Sequence, residues 1–424
     1  MKLNYRRTIF IGLAFLSICA FWQMYDSIIP LILQNTFHLS ETSIGFVMSV
    51  DNILAVFLLP LIGSFSDKID TRIGKRTPFI IIGTILAVCF MMLLPYSDRT
   101  RNLWLFIVAL AVTLIAMALY RSPSVALMPD LTPKPLRSKA NAVINLMGAI
   151  GGVYGLILIS KLIPKTKNPS YLPVFLGVGA IMILSIILLL FTINEKKLAK
   201  QIAIEYPEEI AKERKEDSLP LSLDVKRSLF FILISISLWF MAYNAVTTAF
   251  SRYANTVWKL QGGGFANCLM VATVAAIFSY IPIGFLSSHF GRKKTIICGI
   301  IIMIGCYIAA AFYPTYHPSI NIFFALIGFA WAAINVNSLP MVVEMSKGSD
   351  IGKYTGLYYT FSMSAQIVTP ILSGIFLQHV SYRTLFPYAI IFMILAFFTM
   401  TQVKHGDSRP IKKESVLEHF DVED

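Results

Sequence analysis

Two acids stand where apolar residues surround them on both sides, Asp26 in FWQMYDSII and Asp51 in MSVDNIL. A carboxyl group at membrane depth is expensive to ionise, and one retained there is a functional candidate by default. Counting a helical rise of about 1.5 Å per residue puts both at similar depth on consecutive helices, where they can be neighbours. Two such groups in one low-dielectric site resist being ionised together, so a proton can be taken up on one side and released on the other. The plainer reading is that each only accepts hydrogen bonds from adjoining helices.

Arg121 is the one cation read as lying deep in an apolar stretch. The same counting puts it in the opposite half of the membrane from Asp26, so a direct ion pair between them is not expected. It is expected instead to face a solute, Asn145 or a partner at the inner gate, or to bond backbone carbonyls. Polar and aromatic side chains collect in the same stretches. Trp22 and Gln23 precede Asp26, and Asn52 follows Asp51. Tyr243 and Asn244 lie in the seventh stretch, Asn335 and Asn337 in the tenth, and Tyr359 and Gln366 in the eleventh. Amides and an aromatic face in an otherwise apolar cavity suit a sugar, although packing between helices explains any one of them as well.

These residues need a membrane-spanning frame, and the composition supplies it. Of 424 residues 56% are hydrophobic and only 14% charged, against about 25% charged in soluble chains. Apolar stretches long enough to cross a bilayer are expected at 8–33, 43–63, 78–96, 103–128, 139–161, 171–193, 228–250, 265–286, 295–313, 320–343, 353–378 and 385–402. The net charge of +13 does not indicate nucleic-acid binding. Most of the cations fall in the terminal segments and the loops on their side, which by the positive-inside rule makes both termini cytoplasmic. The first stretch is too long for a signal peptide core and is expected to be retained. The cysteines, Cys19, Cys89, Cys268, Cys298 and Cys306, lie within spans and read as packing residues. The histidines are scattered without ligand spacing, so no metal site, no cofactor and no enzymatic constellation is expected.

One long polar stretch divides the spans six and six. It sets an organisation of 1–193 as an N-terminal bundle, 194–227 as a cytoplasmic linker, 228–402 as a C-terminal bundle and 403–424 as a cytoplasmic tail. The linker's mixed charge fits either an amphipathic helix or a solvated tether. The halves resemble each other: Gly63, Ser66 and Asp67 fall on Gly284, Ser287 and Ser288, and Asp130 falls on Glu344. Duplicated six-helix bundles are what a carrier needs if two halves rock about a central site. The expected fold is therefore all-α, with twelve transmembrane helices in two pseudo-symmetric six-helix bundles. Glycines Gly148, Gly151, Gly152 and Gly155 have the spacing for close helix packing. In PLIGSFSDKIDTRIGKRTPFI, Gly63, Asp67, Gly74, Lys75 and Arg76 read as a cytoplasmic gate, with Asp130 and Glu344 as further latch residues.

That loop, together with PDLTPKPLRSKANAVINLMGAIGG (Pro129–Gly152) and NVNSLPMVVEM (Asn335–Met345), resembles the major facilitator superfamily. The form is similar to that of the sucrose:proton symporters and the glycoside-pentoside-hexuronide:cation symporters. The resemblance implies a plasma-membrane secondary transporter that takes up a sugar or glycoside with protons, or with sodium, by alternating access. Its partners would be a small-molecule substrate, the coupling ion and the lipid bilayer. There are departures from the pattern. Val125 stands where the plant proteins carry an arginine, and Arg121 lies one turn earlier. The apolar VTLIAMALY replaces an upstream aspartate, and Thr247 and Thr248 stand where bacterial relatives carry a glutamate. Coupling must then rest on Asp26 and Asp51. An exporter of drug-like or cationic solutes, or a sensor that binds without flux, are the competing readings.

Overall fold

The computed structural model describes residues 3–132, 136–166, 169–205, 222–345 and 351–407. The helices are α1 (Tyr5–Asn35), α2 (Glu41–Lys68), α3 (Thr77–Met91), α4 (Leu93–Thr100), α5 (Leu103–Asp130), α6 (Arg137–Leu162) and α7 (Leu172–Thr192). They continue as α8 (Glu195–Glu205), α9 (Leu223–Thr256), α10 (Phe265–Phe290), α11 (Arg292–Ala311), α12 (Ile320–Glu344), α13 (Ile351–His379) and α14 (Leu385–Thr401). Among the described residues, twelve segments are long and apolar enough to cross a membrane, with α3 and α4 forming one of them, Thr77–Thr100. Helices are the form in which a chain in hydrocarbon satisfies its own backbone. Polar caps mark where several begin: the side chains of Asn4, Ser40 and Asn102 accept from the backbone N–H groups of Arg7, Ser43 and Leu105.

The helices overrun the apolar stretches because hydrogen bonding continues into the polar boundary after hydropathy falls. Thus α9 starts at Leu223, inside the stretch read as linker, behind the extended Ser222. The linker's first part is helical, as α8, while residues 206–221 lie outside the described residues, as do 408–424 of the tail.

Within the first half α1 packs along α6, and α3 along α5; in the second, α10 and α11 pack on α12, and α9 on α14. The glycines of α6 make the first of these contacts close. A methyl group on Gly151 would meet the main chain of Leu16, and one on Gly155 would come within 3.2 Å of the Ala20 carbonyl oxygen. Between the halves α2 lies against α13, α6 against α10, and α1 against α9.

Since twelve spans return the chain to its starting side, one face carries both terminal segments and α8. This terminal face is opposite the far face, which carries the α1–α2 turn. At the far face the halves are pressed together. A methyl group on Gly374 of α13 would lie 2.5 Å from the Glu41 carbonyl oxygen, and one on Gly263 would lie 2.6 Å from the Ile159 carbonyl carbon.

Candidate functional site

Between the halves lies a cavity of about 350 Å³, within the size range of small-molecule sites. Helix α1 contributes Phe15, Ile18, Cys19, Trp22 and Asp26, and α2 contributes Met48, Asp51 and Asn52. Arg121 comes from α5, Phe240, Tyr243, Asn244 and Thr248 from α9, and Trp331 and Asn335 from α12. Helix α13 closes the ring with Tyr358, Tyr359, Ser362, Met363, Gln366 and Pro370. A smaller chamber of about 240 Å³ adjoins it, and Asp26, Tyr243 and Asn244 line both.

Asp26 and Asp51 therefore face one space, close enough for their charges to interact. Their surroundings differ. Asp51 accepts a hydrogen bond from Asn52 Nδ2 at 3.0 Å and lies within electrostatic reach of Arg121. Asp26 has no hydrogen-bond partner among the described residues. Arg121 lines the same cavity and, as expected, makes no ion pair with Asp26. Its guanidinium carbon sits 5.9 Å from the Trp22 ring centre.

Of the other residues singled out in the sequence, Trp22, Asn52, Tyr243, Asn244, Asn335, Tyr359 and Gln366 line the main cavity, and Gln23 lines the smaller one. Gln23 also donates to Ser27 Oγ at 3.3 Å. Asn145 and Asn337 line neither. Asn337 donates its amide to the Ala333 carbonyl at 2.9 Å, bonding its own helix instead of facing the cavity. Asn145 Nδ2 is buried and unpartnered.

Sequence reasoning missed Trp331 and Phe240. Trp331 stacks on Tyr243 with ring centres 3.7 Å apart and planes 3° apart, and Phe240 meets the Trp331 ring edge-on at 5.3 Å. Together they form an aromatic wall contributed by α9 and α12. Nothing in an apolar helix separates such rings from ordinary packing before the helices are assembled.

A second omission is the far-face seal. Arg252 Nε donates to Glu41 Oε2 at 2.9 Å, and both side chains are almost fully buried, 3% and 6% exposed. Arg252 lies two residues beyond the stretch expected at 228–250, yet α9 continues past it, so a second cation besides the half-buried Arg121 stands within a spanning helix. Tyr382 Oη donates to Glu41, and Gln34 donates to both Glu41 and Tyr382. Nearby, Ser49 Oγ donates to the Ile367 carbonyl at 2.8 Å and Thr42 N to Gln378 Oε1 at 3.1 Å. Ser160 Oγ donates to Asn267 Oδ1 at 2.7 Å.

At the terminal face the residues read as a gate are gathered around Arg76. Its guanidinium binds Asp67, Asp130 (Nε to Oδ2, 2.8 Å), Ser66 Oγ and, at 3.4 Å, the Gly63 carbonyl. Burial opposes the charge on Arg76, yet Asp130 and Asp67 outweigh it and hold the guanidinium above its ordinary pKa. Unforeseen was Glu195 of α8, whose carboxylate accepts from the backbone N–H groups of Lys75, Arg76 and Thr77 and from Thr77 Oγ1. A carboxylate there complements the unpaired donors and positive end of α3. Gly74 has a φ of 129°, and a methyl group would collide with that carboxylate. The second half repeats the design: Gly291 has a φ of 92°, Asp407 accepts from Lys293 N at 2.8 Å, and Arg292 pairs with Glu344. The ion pairs named here join each loop to a helix of its own half.

A polytopic helical bundle with a solute-sized cavity between two six-helix halves is the architecture of a membrane carrier. The model of the Major Facilitator Superfamily matches residues 11–279 and 258–420. The chain belongs to that superfamily, and the protein is a membrane transporter. It is 26% identical over 153 residues to the sucrose transport protein SUC3 of Arabidopsis thaliana, covering 32% of this chain and only 26% of that protein. An uncharacterized MFS-type transporter of Methanocaldococcus jannaschii is 25% identical over 375 residues, 88% of this chain and 89% of that one. Among solved structures, the nucleoside transporter NupG superposes with a TM-score of 0.68 at 18% identity, covering 95% of this chain and all of that one. The human organic anion transporter MFSD10 does so with a TM-score of 0.61 at 15% identity, covering 94% and 100%.

Proposed function

We propose that the protein is a plasma-membrane secondary transporter that takes up a sugar or glycoside together with protons by alternating access. The observation that carries this reading is one cavity holding two carboxylates, an arginine, several amides and a flat aromatic wall. The apolar face of a sugar ring packs on the Tyr243–Trp331 stack while Asn52, Asn244, Asn335 and Gln366 meet its hydroxyls. Asp26 and Asp51 carry the coupling proton, and Arg121 orients the solute and balances their charge. The partial likeness to a sucrose transport protein supports the solute class.

In this reading the terminal face is cytoplasmic. Residues 1–193 and 228–402 are the moving halves, joined by the 194–227 linker and followed by the 403–424 tail. The sealed far face is the outward gate in its closed position. Gly63, Asp67, Gly74, Lys75, Arg76, Asp130 and Glu344 form the inward gate. Sodium in place of the proton is an alternative coupling ion for the same carboxylates.

Aromatic walls beside two carboxylates also suit an amphipathic cation, which favours a second reading as an exporter of cationic solutes. Arg121 in the same cavity argues against it, because it repels such a solute.

The test is uptake of radiolabelled sucrose, maltose and related glycosides into proteoliposomes, with an inward proton gradient and with that gradient collapsed. Accumulation only under the gradient is expected. No accumulation of any glycoside by folded protein would overturn the sugar assignment, and competition by amphipathic cations would favour the exporter. Trp331→Ala is expected to raise the half-saturating glycoside concentration about tenfold, through loss of ring packing. An unchanged value would remove the stack from the site.

A further inference from the structure

We propose that a pocket on the far face of the first half, walled by the α1–α2 turn, the end of α4 and the start of α7, holds the phosphate headgroup of an anionic lipid from the leaflet on that side. It shares no lining residue with the central cavity, so the proposal is independent of which solute is carried.

The pocket encloses about 730 Å³, about twice the volume of the central cavity. The charges left free in it are cationic. Arg99 and Arg101 line it, and neither guanidinium has a hydrogen-bond or ion-pair partner among the described residues. Asp98, the one acid among the described lining residues, accepts from Thr36 Oγ1 at 2.5 Å and is engaged with the wall. Two guanidinium groups, with His38 on the same lining, supply the forked donors that phosphate oxygens accept.

The backbone points the same way. Among the described residues three that are not glycine take a left-handed conformation, and two of them, His38 (φ 53°) and Arg101 (φ 54°), line this pocket. Arg101 ends α4 at a position that glycine or asparagine ordinarily fills. A costly conformation kept by a residue with a long cationic side chain is accounted for when that side chain has a ligand to hold.

A lipid suits the place better than a free anion. Tyr96 on the lining is 57% exposed, and Trp104, just beyond on α5, is 82% exposed, the aromatic pattern of a membrane–water boundary. Leu172 of the lining and Leu176 one turn along α7 are exposed as well. They form an apolar strip from the pocket toward the hydrocarbon, along which the acyl chains of a bound lipid lie.

The measurement is equilibrium binding of radiolabelled short-chain phosphatidylglycerol to the full-length protein in uncharged detergent micelles. One saturable site is expected, with short-chain phosphatidylcholine about tenfold weaker because its choline cation meets the same arginines. Arg99→Gln with Arg101→Gln is expected to weaken phosphatidylglycerol about thirtyfold. Ser170→Trp, which fills the pocket and keeps every charge, is expected to have a similar effect. Lys165→Gln removes an exposed far-face cation outside the lining and is expected to change nothing. All four positions are exposed, so the variants are expected to fold. Equal affinity for the two lipids, or binding that survives both the double arginine variant and Ser170→Trp, would overturn the site. A loss on Lys165→Gln as large as that of the double variant would do the same, since the attraction would then belong to the whole face. Glycerol phosphate binding as tightly as the lipid would overturn the lipid as occupant in favour of a soluble phosphate.

Discussion

Proteoliposomes carrying Asp26→Asn are expected to equilibrate labelled glycoside across the membrane but never to accumulate it against its gradient. Asparagine keeps the shape of the side chain and can still bond a sugar hydroxyl, yet it cannot carry a proton. Asp26 is the better candidate for the moving proton because no neighbour among the described residues holds its carboxyl group by a hydrogen bond. Asp51 has Asn52 and the nearby Arg121 to balance a fixed negative charge. Asp51→Asn is expected to abolish accumulation as well, since the charge that interacts with Asp26 is then missing. Exchange of labelled for unlabelled glycoside at equal pH should persist in both variants, which separates lost coupling from lost binding. Uphill accumulation by either variant would exclude that carboxylate from coupling.

The second large effect is expected at the far-face seal. Removing one partner of a buried ion pair leaves an uncompensated charge and costs about 3–5 kcal/mol, whereas replacing both by apolar or neutral groups is often harmless. In the alternating-access reading proposed above, Glu41 and Arg252 meet only when the far face is closed, so the cost of a single replacement falls on that conformation. With each 1.4 kcal/mol worth about tenfold, Arg252→Met is expected to shift the equilibrium roughly a hundredfold or more toward an open far face. Met48 lines the cavity below the seal, as does the native Cys19, so a Met48→Cys background that also carries Cys19→Ser reports the change. Its labelling by a membrane-impermeant maleimide added at the far face should accelerate in the Arg252→Met variant. The double variant Glu41→Gln with Arg252→Met should label slowly again. Labelling rates that do not respond to Arg252→Met would show that the pair does not govern closure.

Both sites illustrate what could be read along the chain. Asp26 and Asp51 stand out because a carboxyl group among apolar residues is costly wherever the helices end up, and that cost is visible locally. The amides and aromatics near them were recognisable for the same reason, although Asn145 and Asn337 face neither cavity. Trp331 was not recognisable, because a tryptophan in an apolar helix suits lipid, core and cavity equally. Nor was the seal: Glu41 and Arg252 are 211 residues apart, and each lies at a helix end where a charge is ordinary. Glu195 and Asp407 were overlooked because a carboxylate after a spanning helix is unremarkable until a helix N-terminus from a neighbouring loop is brought against it.

By itself the sequence determined the number of spans, the division into similar halves, the charged loops and the embedded acids. Each of these follows from transfer of short segments between water and lipid, which depends only on local composition and helical rise. Which side chains share the central cavity, how Arg121 reaches the carboxylates' space and which face is sealed were decided only by the tertiary structure. These depend on how the helices rotate and lean against one another, and that is set by close packing between distant parts of the chain, as at Gly151 on Leu16 and Gly374 on Glu41.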